Sequence, residues 1–145
     1  MRRRHGGNDS RRYYDWIDRA QEDLQTTEVL LLADKCYFSC AFHCQQAIEK
    51  ALKAYLLVKS GDLVDGHNLT WLCKQAMRHE RDFDQWLDES AALNRCYIET
   101  RYPTDIPYNL SHKRVRRFYQ MAKDMFEFID DAVDRELERR EAGRA

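Results

Sequence analysis

The stretch CAFHCQQAIEKALKAYLL, residues 40–57, decides how this chain folds. Its small residues and its polar residues both recur at helical spacing, but they fall on different sides of the helix they predict. Extended over 36–60, with Gly61 as its stop, that helix gathers Cys36, Cys40, Cys44, Ala47, Ala51 and Ala54, together with Ile48, Tyr55 and Val58, within about a third of its circumference. Because so many of these side chains are small, a neighbouring helix can approach more closely than it would over a leucine face. His43, Gln46, Glu49, Lys50 and Lys53 occupy the opposite arc and predict a polar face. Glu49 and Lys53 stand four apart in the favourable order, so a surface ion pair accounts for them without a ligand.

Working outward, the pattern is helical throughout. Five glycines and two prolines punctuate 145 residues, and no segment alternates with period two between turn residues. A first helix begins after a cap at Asp9 or Ser10 and runs to about Asp34, with Trp16, Ile17, Ala20, Leu24, Thr27 and Leu31 inward. After the loop GDLVDGHN, Asn68 caps a short helix over about 69–79, and a further helix over about 83–100 turns Phe83, Trp86, Leu93, Asn94 and Tyr97 inward. Pro103 and Pro107 then stiffen the loop TRYPTDIPYNLSH. Ser111 caps a long last helix in which Val115, Phe118, Ala122, Met125, Ile129 and Ala132 repeat with a period near 3.5. The expectation is an all-α domain, an antiparallel up-and-down four-helix bundle with an additional short helix. It spans 10–139, between a disordered basic arm at 1–9 and a frayed tail at 140–145.

Composition narrows the function. Hydrophobic residues make up 43% of the chain, enough for a core, and 24 basic against 25 acidic residues leave no global field for non-specific nucleic-acid binding. The apolar run Val29–Ala33 is far short of the roughly 20 residues that span a bilayer. MRRRHGGNDS lacks the apolar segment of a signal peptide, so a cytoplasmic protein is expected. Five cysteines, with Cys36, Cys40 and Cys44 on one helix face, predict thiols used as small packing residues. No metal site and no cofactor are expected, since CxxC, HExxH, GxSxG, phosphate-loop and EF-hand patterns are missing from the sequence. Any site must therefore be assembled across helices. Its candidate parts are the polar arc, the Gly66-His67-Asn68 turn, which has an equally good structural reading, and the loop from Thr100 to His112.

CYFSCAFHCQQAIEKALKAYL at 36–56, HNLTWL at 67–72 and IETRYP at 98–103 occur in an order that resembles the HEPN domain family of bacteria and archaea, in particular its TRYP-containing branch. The resemblance covers about residues 11–135. It implies a helical bundle that forms a homodimer, often paired with a minimal nucleotidyltransferase in toxin–antitoxin systems. Many members are metal-independent ribonucleases with an Arg, four to six residues, then a His. Here the nearest such pair, Arg101 and His112, has ten residues between its members. One reading loops the prolines out and lets the two converge as a catalytic pair, the imidazole moving the 2′-hydroxyl proton and the guanidinium stabilising phosphate charge. The favoured reading is a module without that chemistry, which binds a nucleotide, RNA or a partner protein through His43, Gln46, Lys50, Lys53, His67, Arg101 and Tyr102. Lys50, Lys53 and Arg101 would then meet phosphate and Tyr102 a base. A plain helical interaction module is the third reading. Tyr119, Phe126 and Phe128 on the last helix predict a dimer surface, as aromatics that one bundle leaves uncovered.

Overall fold

The computed structural model describes residues 9–100, 103 and 109–144, without the side chains of 98–100. Among the described residues five α-helices form: α1 (Tyr13–Ala33), α2 (Tyr37–Ser60), α3 (Leu69–Met77), α4 (Leu87–Thr100) and α5 (His112–Gly143). A 3-10 turn over Arg81–Trp86 takes the place of the first turn expected for the fourth helix. No strand is present among the described residues.

The boundaries follow from local chemistry. The backbone of Asp34 is left-handed at φ 57° and its N–H reaches the carbonyls of Leu30 and Leu31, which ends α1. Cys36 is also left-handed, at φ 59°, so the α1–α2 reversal is made by two side-chain-bearing residues in a region that favours glycine. Gly61, at φ 78°, closes α2 through its N–H to the Leu57 carbonyl. Asn68 accepts from the Trp71 N–H and Ser111 from the Arg114 N–H, both as N-caps. Ser10 works differently from a cap: its hydroxyl accepts from Arg12 N–H at 3.0 Å and donates to Asp15 at 2.6 Å.

α2 is the axis of the domain. It packs against α1, α3, α4 and α5, and from Cys40 to Val58 every residue is buried except Phe42, His43, Gln46 and Lys50, which are half-buried. The small-residue side behaves as expected, with Cys40, Cys44, Ala47, Ala51 and Ala54 fully enclosed, whereas Cys36 is exposed in the turn. The opposite arc departs from the expectation of a wet face. Glu49 is 5% exposed and Lys53 is 1% exposed. The loop after Gly61 and the start of α1 cover that arc, so the i,i+4 pair is an interior one.

α5 buries Val115, Phe118, Ala122, Met125, Ile129 and Ala132 as its period predicts. Its aromatics find contacts within the same chain. Phe126 is 6% exposed, Phe128 meets Phe83 edge-on at 5.1 Å and Trp86 at a tilt at 5.7 Å, and Tyr119 donates to Glu28. The helix continues through Gly143, past the expected boundary at 139. Arg140 is held there by Glu136 and by the Val58 carbonyl. Arg135 pairs with Glu80, in the connection that follows α3.

Candidate polar site on the central helix

Two charged groups flank α2. On the α1 side, Asp23 is buried and its two carboxylate oxygens take separate partners: His43 Nδ1 at 2.8 Å and Lys50 Nζ at 2.7 Å. A carboxylate only accepts, so Nδ1 of His43 carries a proton in this contact. Lys50 keeps 24% of its side chain exposed and borders an open groove of about 620 Å³ between Asp9, Asp15, Trp16, Asp18 and Arg19.

On the other side, Glu49 gathers a second group. Its Oε2 accepts from Lys53 Nζ at 3.1 Å, and His67 Nδ1 lies 2.9 Å from the same oxygen. Its Oε1 accepts from Gln45 at 3.1 Å and from Gln46 at 3.3 Å. Gln45 is completely buried and also donates to the His67 carbonyl, which ties the turn before α3 to the middle of α2. The Lys53 ammonium stands 6.0 Å from the Trp16 ring centroid, and the same Trp16 lines the groove that Lys50 borders. Lys53 has its charge met inside the protein and is enclosed; Lys50 is the lysine of this arc that solvent reaches.

The His67 ring, 52% exposed, stacks on Tyr97 of α4 at 4.9 Å and 18°. Tyr97 also stacks on Phe42 at 6.1 Å and 25°. Three rings from α2, the turn and α4 thus form a platform just before the chain leaves α4 at Thr100. Asn94, one turn earlier, accepts the Leu69 N–H at 2.6 Å and donates to Asn68 and Thr70, which fixes α3 against α4.

His43 and Lys50, on Asp23, and Gln46, Lys53 and His67, on Glu49, therefore belong to the polar groups assembled around α2. Arg101 and Tyr102 lie outside the described residues. His112 sits elsewhere: it packs edge-on to Tyr37, and its Nε2 faces the Leu31 carbonyl at 3.2 Å. Tyr37 and Glu49 are 12 positions apart on α2, about 18 Å along the axis. A carbonyl only accepts, so Nε2–H of His112 is committed to holding α5 on the end of α1.

Asp23, Gln45 and Tyr97 complete this assembly without having been singled out as binding residues in the sequence. Asp23 could have been found, because a carboxylate beside the inward stripe Ala20–Leu24–Thr27 needs a partner. Other depressions lie away from the network. One of about 550 Å³ opens at the far end of α2 beside Tyr13, Gly61, Leu137 and Arg140. Another, of about 320 Å³, lies between α4 and α5, with Arg95, Arg114 and Arg117 over Phe118 and Met121. Among the described residues no group of three His, Cys, Asp or Glu side chains is set to hold a metal ion, and no helix is long and apolar enough to cross a membrane.

Fold and site define a helical-bundle domain whose polar centre is built into its central helix. The chain belongs to the HEPN domain family, whose model matches residues 13–132. The structure of TT1696 from Thermus thermophilus superposes with a TM-score of 0.74 at 24% identity, covering 85% of this chain and 99% of that one. ST0689, described as an archaeal HEPN homologue, does so with a TM-score of 0.65 at 20% identity, covering 84% and 98%. In sequence, "Putative toxin MJ1304" of Methanocaldococcus jannaschii is 28% identical over 95 residues, 61% of this chain and 61% of that protein. The chain thus spans about three fifths of the length of that relative.

Proposed function

We propose that the protein is a HEPN module acting by binding rather than by RNA cleavage: a homodimer, partner of a minimal nucleotidyltransferase in a toxin–antitoxin type pair, that takes a nucleotide or an RNA end at the His67–Tyr97 corner. The observation that carries this reading is the ring platform. Tyr97 stacks on both Phe42 and His67, and His67 is in turn anchored by Glu49 while 52% of its side chain is exposed. Base–aromatic stacking contributes about 1–3 kcal/mol per base, and a preset ring loses little freedom on binding. Arg101 and Tyr102 follow α4 directly in sequence and would supply the phosphate contact and a second ring. Lys50, at the edge of its groove, would meet phosphate more readily than the enclosed Lys53.

The ribonuclease reading, with Arg101 and His112 as the catalytic pair, draws support from the name of the archaeal relative. Against it stands the engagement of His112 with the Leu31 carbonyl. The deciding experiment is a panel of nucleotides and short single-stranded RNAs, read both for binding and for cleavage without added metal. The binding reading expects His67→Ala, Tyr97→Ala and Arg101→Ala each to weaken affinity about tenfold or more, with His112→Ala neutral. RNA cleavage that disappears in His112→Ala would overturn it. A plain interaction module would bind none of these ligands, with or without the substitutions.

A further inference from the structure

α4 and α5 both pack on α2 and touch each other little, so a groove opens between them. Its walls are two helical stripes. Arg114, Arg117, Phe118 and Met121 recur at i, i+3, i+4 and i+7 along α5, and Ala92 and Arg95 stand at i and i+3 on α4. The space between them is about 320 Å³, with Ala92, Phe118 and Met121 at its floor and the three arginines at its rim. Among the described residues no carboxylate lines it, and neither Arg95 nor Arg117 makes an ion pair within the chain. Arg114 is held in place, its guanidinium donating to the Asn109 carbonyl at 2.9 Å and lying 5.7 Å from the centroid of the Phe118 ring. No acidic residue occupies the first turn of α5, so the positive end of that helix adds to the same charge. Three guanidinium groups around one groove repel one another, and an anion that enters it relieves the repulsion.

We infer that this groove docks an acidic segment of a partner protein, which sets one apolar side chain on Phe118 and Met121 and places carboxylates on either side of it against the arginines. Arginine matches a carboxylate with paired N–H donors, and a methionine in the floor adapts to the shape of an aliphatic anchor. The volume lies at the low end of the about 300–1,000 Å³ of small-molecule pockets, which suits one anchoring side chain better than a wholly enclosed ligand. Nucleic acid fits less well, because Phe118 is 7% exposed and Arg114 lies over its ring, so no open aromatic face is offered to a base. The groove is also separate from the ring platform. At 100° per residue Arg95 and Tyr97 leave α4 about 160° apart, and docking here needs no nucleotide at His67 and Tyr97. Charge at the rim makes the association salt-sensitive, and the apolar floor makes it selective among acidic segments.

The test is a nuclear magnetic resonance titration of the full, isotope-labelled chain with two synthetic peptides. One has a central leucine between two pairs of aspartates, and the other has glycine in place of the leucine. The leucine peptide is expected to shift the amides of 92–95 and 114–121 and to bind about tenfold more tightly than the glycine peptide. Arg95→Glu and Arg117→Glu, both at exposed positions and checked for folding by circular dichroism, are each expected to weaken it about tenfold or more. Equal binding of the two peptides would overturn the proposal, since the arginines would then act only as diffuse charge. A leucine peptide that shifts no amide of the groove at millimolar concentration would overturn it too. So would a short single-stranded RNA that shifts these amides more strongly than the peptide does, because the groove would then serve nucleic acid. His67→Ala is expected to leave peptide binding unchanged, which keeps this result apart from the fate of the ring platform.

Discussion

Glu49 and Lys53 offer the sharpest perturbation, because the two members of this pair are unequally supported. Glu49 accepts from Lys53, Gln45 and Gln46 and stands against His67, whereas the Lys53 ammonium has Glu49 and, more distantly, the face of Trp16. Glu49→Gln keeps the shape but leaves an enclosed ammonium, 1% exposed, without a counter-charge. Breaking a buried pair in this way costs about 3–5 kcal/mol. Lys53→Met leaves a carboxylate that still holds its amide donors and a solvent-reached imidazole, so the loss is smaller, about 1–2 kcal/mol. In the double variant neither charge remains, and the loss falls below the sum of the singles by about 2 kcal/mol. Urea unfolding followed by far-ultraviolet circular dichroism measures all three. With a slope of about 1–3 kcal/mol/M, the first variant moves the midpoint by roughly 1–5 M. Equal losses in the two single variants, or simple additivity in the double, would refute the argument, since either means that Lys53 finds water.

The Glu136 carboxyl is held down to about 2 from an ordinary 4.5, first by the hydrogen bond from Lys59 and then by Arg139 and Arg140. Its contribution to stability is therefore complete above pH 4.5 and lost as pH falls toward 2. That contribution is about 2 kcal/mol once the exposure of the two arginines is allowed for, and Glu136→Gln should flatten the acid limb of a stability–pH curve accordingly. Burial pushes the Cys44 thiol far up and Cys40 to about 11, while Cys36 is exposed; a thiol reagent should label Cys36 rapidly in the native chain and the others on unfolding. Because Cys36 holds φ 59°, Cys36→Gly should raise stability by about 1 kcal/mol in the same urea assay. Asn94→Ala removes the clamp on the start of α3 and should cost about 1–3 kcal/mol, with amide exchange rising first over 69–73.

Much of this architecture is legible in the sequence. Asn68, Ser111 and Gly61 end or begin helices because their local chemistry suits no other use as well, and the 3.5-residue period of α5 names its buried side without help from the rest of the chain. The interior position of Glu49 and Lys53 is not legible, since i,i+4 spacing is identical on a surface and in a core; only the arrangement of the segments that cover α2 decides it. The same holds for the ring platform. His67 and Tyr97 are brought together by the α3 excursion, and Phe42 by the packing of α4 on α2. Two helices and the turn before α3 meet there, and no local pattern encodes their meeting. The contacts of the α5 aromatics are not legible either: Phe83, Trp86 and Glu28 receive Phe128 and Tyr119 from other parts of the chain, which their spacing on one helix does not reveal.

Placing one helix at the axis has a consequence for synthesis on the ribosome. α2 emerges early, with α1 beside it, but the flank that α5 covers stays bare until residues 112–143 are made. A nascent chain of about a hundred residues thus presents an uncovered seam of cysteine, alanine and isoleucine to whatever chaperone is near. Products terminated before Ser111 should be cleared or aggregate rather than accumulate as a smaller folded domain.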